Sequence, residues 1–196
     1  MSEYQKVSKQ RMPKLFSYVV DHDHGFAPNP CDGFCTLAKC KFGKKNITEL
    51  AQKGDWIVGT GGANLKKSAG HGNLIYAMKV DDKIPLAEYC HAYGGKRIDA
   101  DHVENEDDRS VLTSNHFFYF GRNAIPIPKR FGEDFEKRGR GYRSNFTDEL
   151  VEKFAKWLEA NFTIGVNGAP CKPHPDIRIR LSCESKSKQK RKGCAK

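Results

Sequence analysis

The residues best suited to chemistry crowd into the first third of this chain. Asp21-His22-Asp23-His24 precede three thiols, Cys31, Cys35 and Cys40, all within twenty residues. Successive side chains of an extended segment point to opposite sides, so His22 and His24 share one side and Asp21 and Asp23 the other. Two neighbouring imidazoles can share a metal or divide acid and base work. Together with Cys35 and Cys40 they form a candidate His2Cys2 zinc set, because thiolate and imidazole suit a tetrahedral ion, although Cys-x4-Cys is a loose ligand spacing and no second close cysteine pair accompanies it. A catalytic His24 or Cys35 is a second reading of these residues. Structural thiols with hydrogen-bonded histidines are a third.

A glycine-rich stretch, Gly59-Thr60-Gly61-Gly62-Ala63-Asn64-Leu65-Lys66-Lys67, could let backbone N–H groups approach an anion while the lysines add charge. Thr60, Gly61, Gly62, Lys66 and Lys67 are therefore candidate phosphate or nucleotide ligands, with Asn29 of the turn-rich Gly25–Pro30 segment counted beside them. It is no P-loop, since the Gly-Lys-Ser/Thr ending is absent and Leu74–Val80 reads as strand. A plain hairpin loop fits equally well. Further along, Ser114-Asn115-His116-Phe117-Phe118-Tyr119-Phe120 places His116, Phe118 and Phe120 on one face of a strand and Asn115, Phe117 and Tyr119 on the other. One ring set should be core; the other could stack on a base. Arg140 and Arg143, in Lys137-Arg138-Gly139-Arg140-Gly141-Tyr142-Arg143-Ser144, suit a loop that grips phosphates.

The elements that must position these groups are mostly strands. Leu15–Val20, Trp56–Gly59, Leu74–Val80 and Val111–Phe120 have the β-branched and aromatic content of strands bounded by turn residues. Asn46 and Glu49 open a short helix that Gly54 ends. Leu150, Val151, Phe154, Trp157 and Leu158 recur with helical spacing and form an amphipathic helix over 147–159. The expected class is α+β, a small and mostly antiparallel β-barrel or curled sheet with flanking helices.

At 196 residues and 22.1 kDa the chain suits one domain, read as 13–176 between an N-terminal arm (1–12) and a basic tail (177–196). No apolar run approaches the roughly 20 residues that span a bilayer, and Met1–Lys6 lacks a signal core, so no membrane partner and a cytoplasmic location are expected. Seven cysteines in a reducing compartment read as free thiols or metal ligands. Of the net charge of +10, the tail carries +7, from eight Lys and Arg against Glu184. Such a segment has too little apolar surface to fold and can attract nucleic acid through its charge.

The order of strand, helix, Gly54-Asp55 turn and strand resembles the core of PUA-like domains, including the EVE and ASCH types, which are small barrels that often bind modified bases or RNA. Over residues 14–170 the chain is similar to the nucleotide-modification-associated domain family, second type. The segments that carry the likeness are Ser17-Tyr18-Val19, His24–Pro30, Cys35–Lys41, Gly54–Gly61, Ser114–Gly121 and Gly139–Ser144. Tyr142 stands where that family usually has His, which removes a proton-transfer group. The resemblance implies a role beside DNA base hypermodification in a bacterial or phage-infected cell, with a nucleotide or nucleic acid as partner. Two classes of function follow. One is an enzyme acting on a nucleotide or base through His24, Cys35 and His116; the other is a non-catalytic reader of a modified base, or a protein that sequesters a nucleotide signal. If the motif-bearing strands lie side by side in a PUA-like barrel, His24 and His116 should share one pocket with Cys35 near its rim.

Overall fold

The computed structural model describes residues 11–38, 46–101, 109–131, 135–136 and 139–175. Alternation sets the first strand, β1 (Leu15–Val20), which sends Phe16, Tyr18 and Val20 to one face and Leu15 to the other. β3 (Trp56–Gly61) runs parallel to it, in register from Leu15 opposite Trp56 to Val20 opposite Gly61. β4 (Asn73–Lys79) is antiparallel to β3, β7 (His116–Tyr119) is antiparallel to β4, and β10 (Gly165–Val166) is parallel to β7. The short β8 (Ile125–Pro126) pairs with β4 and β9 (Tyr142–Arg143) with β1, giving a seven-stranded mixed sheet. It follows that β1, β3, β7 and β10 all point the same way. Their C-terminal ends share one margin of the sheet.

A second sheet, in the order β2 (Cys35–Leu37), β6 (Ser110–Ser114) and β5 (Asp82–Pro85), covers one face of the first. Cys35, Leu37 and Leu112 pack there against Phe16, Tyr18, Ile57, Met78, Phe117 and Tyr119. On the opposite face lies α3 (Asp148–Asn161), where Val151, Phe154 and Leu158 meet Leu15, Trp56, Val58, Ala77 and Phe118. Burying each such side chain contributes about 1.5–3 kcal/mol, which holds the helix to the sheet. Thr147 caps α3 by accepting the Leu150 N–H, and Asn46 caps α1 (Ile47–Leu50) by accepting that of Thr48. The described residues thus form an α+β fold with one mixed sheet, one antiparallel sheet and three α-helices. Among the described residues the strands do not close into a barrel.

The third helix, α2 (Leu86–Tyr93), has no counterpart in the sequence reading. It buries only Leu86 and Tyr89, too narrow an apolar stripe for periodicity to betray. Beyond it, the fully buried Asp99 accepts hydrogen bonds from Asn29 (2.7 Å), Thr36 (2.5 Å) and the Tyr89 hydroxyl (3.0 Å). Arg97 donates to the carbonyls of Cys31 and Asn29 and to the Tyr89 hydroxyl, with its guanidinium 4.1 Å from the Phe34 ring centre. A buried carboxylate and guanidinium are tolerable only when so fully partnered.

The strand expected over Val111–Phe120 is two. It bends at Asn115, where the Asp81 carboxylate accepts the Asn115 N–H and the Ser114 hydroxyl bonds to the backbone of His116, so β6 enters one sheet and β7 the other. Both ring sets are core: Phe117 and Tyr119 lie under the second sheet, Phe118 and Phe120 under α3. No aromatic wall is left there for a base.

Close approach explains the glycines of β3. A Cβ on Gly59 would lie 2.3 Å from the Tyr76 ring, and one on Gly61 would lie 2.0 Å from the backbone oxygen of Gly70. Backbone cannot yield as a side-chain tip can. Gly61→Ala should therefore lower unfolding free energy by at least about 1–3 kcal/mol in urea titrations; an unchanged midpoint would show that the 62–72 loop moves freely.

Candidate functional site

At the shared margin, the chain leaving β1 carries Asp21 to His24. The loop leaving β3 is strapped to it: the Gly62 N–H donates to the Ser68 hydroxyl (2.8 Å), which donates to the Val20 carbonyl (2.5 Å). Asp23 N–H donates to the Lys67 carbonyl (2.7 Å), placing Lys67 beside the histidines. From the end of β7, the Tyr119 hydroxyl donates to Asp23 Oδ1 (2.5 Å). The chain after β10 returns to the same carboxylate. Cys171 N–H donates to Asp23 Oδ2 (2.9 Å), then Lys172 N–H to the Asp23 carbonyl and His174 N–H to the His24 carbonyl.

This arrangement fixes the electrostatics. Asp23 is 1% exposed, and hydrogen bonds replace the water its side chain gives up on burial. Burial, and then the Asp23 charge and hydrogen bond, hold the Tyr119 phenol well above its ordinary pKa, so it stays a donor. The Cys171 thiol is pushed up to about 12, first by burial and then by Asp23, and remains a thiol at neutral pH. The His22 and His24 rings lie edge to face, 5.7 Å apart, with His174 next to Phe26. Burial, followed by the charges of His22, Lys172 and His174, lowers the His24 pKa against the weaker pull of Asp23. His24 is thus neutral at pH 7, and its Nε2 is enclosed without a hydrogen-bond partner among the described residues. A neutral imidazole with an unused ring nitrogen in a field of cations can accept or pass a proton beside a bound anion.

The other sequence candidates fall elsewhere. Trp56, Lys79 and His116 lie in one row with Leu15, at the start of β1, whereas His24 lies beyond its end at Val20. Five residues of strand separate these levels by roughly 16 Å. The single pocket joining His24 and His116 therefore does not form. His116 instead sits edge-on to Trp56 and Phe118, with Nε2 3.2 Å from Glu159, close enough for an ion pair but without hydrogen-bond geometry. Cys35 is fully buried on β2, and burial pushes its thiol up, so it lines no rim. Asn29 is buried and engaged with Asp99 and the Cys31 N–H. Thr60 donates to the Tyr18 carbonyl, while Gly61 and Gly62 pack against Gly70 and Asp21. Lys66 stays exposed beside the half-buried Lys67. Arg143 lies opposite Ser17, and the antiparallel register leads from there through Tyr142 back toward Arg140 and the exit of β1.

Cys40, and so the full His22, His24, Cys35 and Cys40 set, falls outside the described residues, as does the basic tail. Among the described residues no three His, Cys, Asp or Glu side chains are grouped to hold a metal ion. Sequence reasoning missed Tyr119 as an anchor and the Cys171-Lys172-Pro173-His174 segment altogether. A second local gathering of thiol, cation and imidazole between prolines was the available signal.

Residues 12–101 and 93–175 match the family model described as nucleotide modification associated domain 2. No curated protein and no solved structure matches the chain significantly. No described helix is long and apolar enough to cross a membrane.

Two outcomes test this geometry. Asp23→Asn should cost about 1.5–3 kcal/mol, the range for a hydrogen-bonded charge, and should speed amide exchange at 171–174 before the rest of the fold; uniform exchange would mean that Asp23 does not tether that segment. Cys35 should resist alkylation at pH 8 in the folded protein and react in denaturant, read by peptide mass. Rapid labelling of the native state would contradict its burial.

Proposed function

We propose that this chain, which belongs to the nucleotide modification associated domain 2 family, binds a nucleotide, or a base within nucleic acid, at the C-terminal margin of β1, β3, β7 and β10 in the course of base modification. The observation that carries this reading is the enclosed Nε2 of His24, which has no hydrogen-bond partner among the described residues. A buried ring nitrogen without a partner is costly, and a ligand atom that fills the valence relieves the cost. The Lys172 charge faces the His24 ring, and Lys66 and Lys67 stand on the loop strapped to Asp23, so lysines are at hand for a phosphate. Ligand sites outside the carboxyl ends of parallel strands recur in open α/β sheets, so the placement is physically familiar. His24 would act as the proton-transfer or hydrogen-bonding group. Asp23 and Tyr119 are positioning residues that hold its backbone.

One observation favours a second reading, a non-catalytic reader of the PUA-like kind. Cys31 and Cys35 are buried and Cys171 is held as a thiol, so none of the three offers a ready nucleophile. Products detected by mass spectrometry after incubation with nucleotides and DNA separate catalysis from reading. Both readings need the same site.

The pH dependence follows from the direction of the His24 shift. Its free-state pKa lies below 6.5, and a bound anion raises it, so binding takes up a proton in the window between the two values. Affinity for a dinucleotide, whose phosphodiester does not titrate there, should rise as pH falls from about 8 to 6. His24→Gln should flatten that rise, and Lys66→Ala with Lys67→Ala should weaken binding without changing thermal stability. A flat profile in the unaltered protein, with affinity indifferent to both changes, would remove the site.

A further inference from the structure

An open groove of about 640 Å³ runs along α3, on the sheet face opposite the second sheet. Its floor is aromatic. Phe131 is buried and Trp157 half-buried, with ring centres 5.2 Å apart. The Arg130 guanidinium lies over both rings, 5.1 Å from one centre and 5.9 Å from the other. Lys153 and Lys156 stand on the helix beside it, so among the described residues the lining holds three cations and the carboxylate of Glu149. Leu150, Lys153, Trp157 and Asn161 follow one another at three- and four-residue steps, so they share a stripe of the helix that faces the groove.

The lysines are engaged with Glu149 and Glu152 at 2.7 and 2.6 Å, one turn away. Such exposed i,i+4 pairs contribute only a few tenths of a kcal/mol, and a phosphate can replace the carboxylate at little cost. Arg130 forms no ion pair among the described residues; its charge is presented across the rings. A half-buried indole, a planar cation stacked beside it and two replaceable lysine partners match a ligand that carries both a π face and a chain of phosphates. An acidic peptide would satisfy the cations and leave the rings unused. A duplex keeps its base faces stacked internally. The volume suits a ligand of nucleotide size rather than a folded partner.

We propose that this groove binds single-stranded nucleic acid, with a base stacked on Trp157 and Arg130 and the backbone phosphates on Lys153 and Lys156. It is a site separate from the strand-exit margin and does not rest on the reading given for His24. DNA and RNA offer the same stacking and phosphate chemistry, so the groove is assigned to the strand and not to its sugar.

The test uses tryptophan fluorescence of the full chain. The sequence has two tryptophans, so Trp56→Phe, which removes a buried ring, leaves Trp157 as the sole reporter. Oligothymidylate and oligouridylate of about ten nucleotides should each quench it saturably, and the stronger of the two identifies the sugar preferred. Arg130→Ala should weaken the affinity roughly tenfold, the scale of one lost stacking contact. Lys156→Glu should weaken it and lower the log–log salt slope by about 0.7, one phosphate contact. Both sites of change are exposed, and unchanged melting temperatures would show that the fold is retained. His24→Gln should leave this affinity alone, which separates the groove from the strand-exit site. Three results would overturn the proposal: no quenching by either strand, equal quenching by polyglutamate, or an affinity that Arg130→Ala and Lys156→Glu leave untouched.

Discussion

The Asp23 carboxylate is the constraint on which the candidate site depends. One nearly inaccessible group receives the Tyr119 hydroxyl from β7 and the Cys171 N–H from the chain after β10, while its own backbone meets Lys67 and Lys172. Four chain segments far apart in sequence are therefore fixed to one another within hydrogen-bond tolerances. The energy comes from the low local dielectric, which strengthens charge-assisted bonds and penalises any state that leaves the carboxylate unpaired. His24 adjoins this knot and inherits its rigidity. A catalytic or recognition group needs such support, since small errors in placement weaken binding and chemistry alike.

Direction of the strands turns the knot into a candidate site. With β1, β3, β7 and β10 parallel, four loops emerge at one margin, and three of them bring the residues of greatest chemical interest: the histidine segment, the lysine loop and the 171–174 return. The antiparallel β4 between β3 and β7 keeps the ladder hydrogen-bonded without adding a loop there. Arg97 and Asp99 play a corresponding structural part, fastening β2 and the turn at Asn29 to α2 through a buried polar network. That network contains Asn29, and it explains why a residue in a suggestive motif is not free to meet a ligand.

Two classes of surface then divide the chemistry. The strand exits offer imidazoles and lysines suited to an anion. The groove on α3 offers rings and cations suited to an unpaired strand. The first is built from loops held by a buried carboxylate, the second from a rigid helix whose apolar side is committed to the core.

Local pattern was legible in the sequence wherever one short segment decides its own structure. Alternation gave β1 its bounds, the spacing of Val151, Phe154 and Leu158 gave α3, Asn46 gave a cap, and the shared side of His22 and His24 followed from strand geometry alone. The family likeness was legible too, from separate short motifs. What tertiary structure decided was proximity. Nothing local distinguishes a His116 beside Trp56 at the start of the sheet from one beside His24 at its far margin, because strand register and direction are settled by pairing between strands far apart in sequence. Nor could the sequence tell that the glycines of β3 make room for Tyr76 and Gly70 instead of a phosphate, that Cys35 is sealed under a second sheet, or that Cys171, Lys172 and His174 close on Asp23 from the far end of the chain. Periodicity is a property of neighbours along the backbone, whereas burial, partner and pKa belong to neighbours in space.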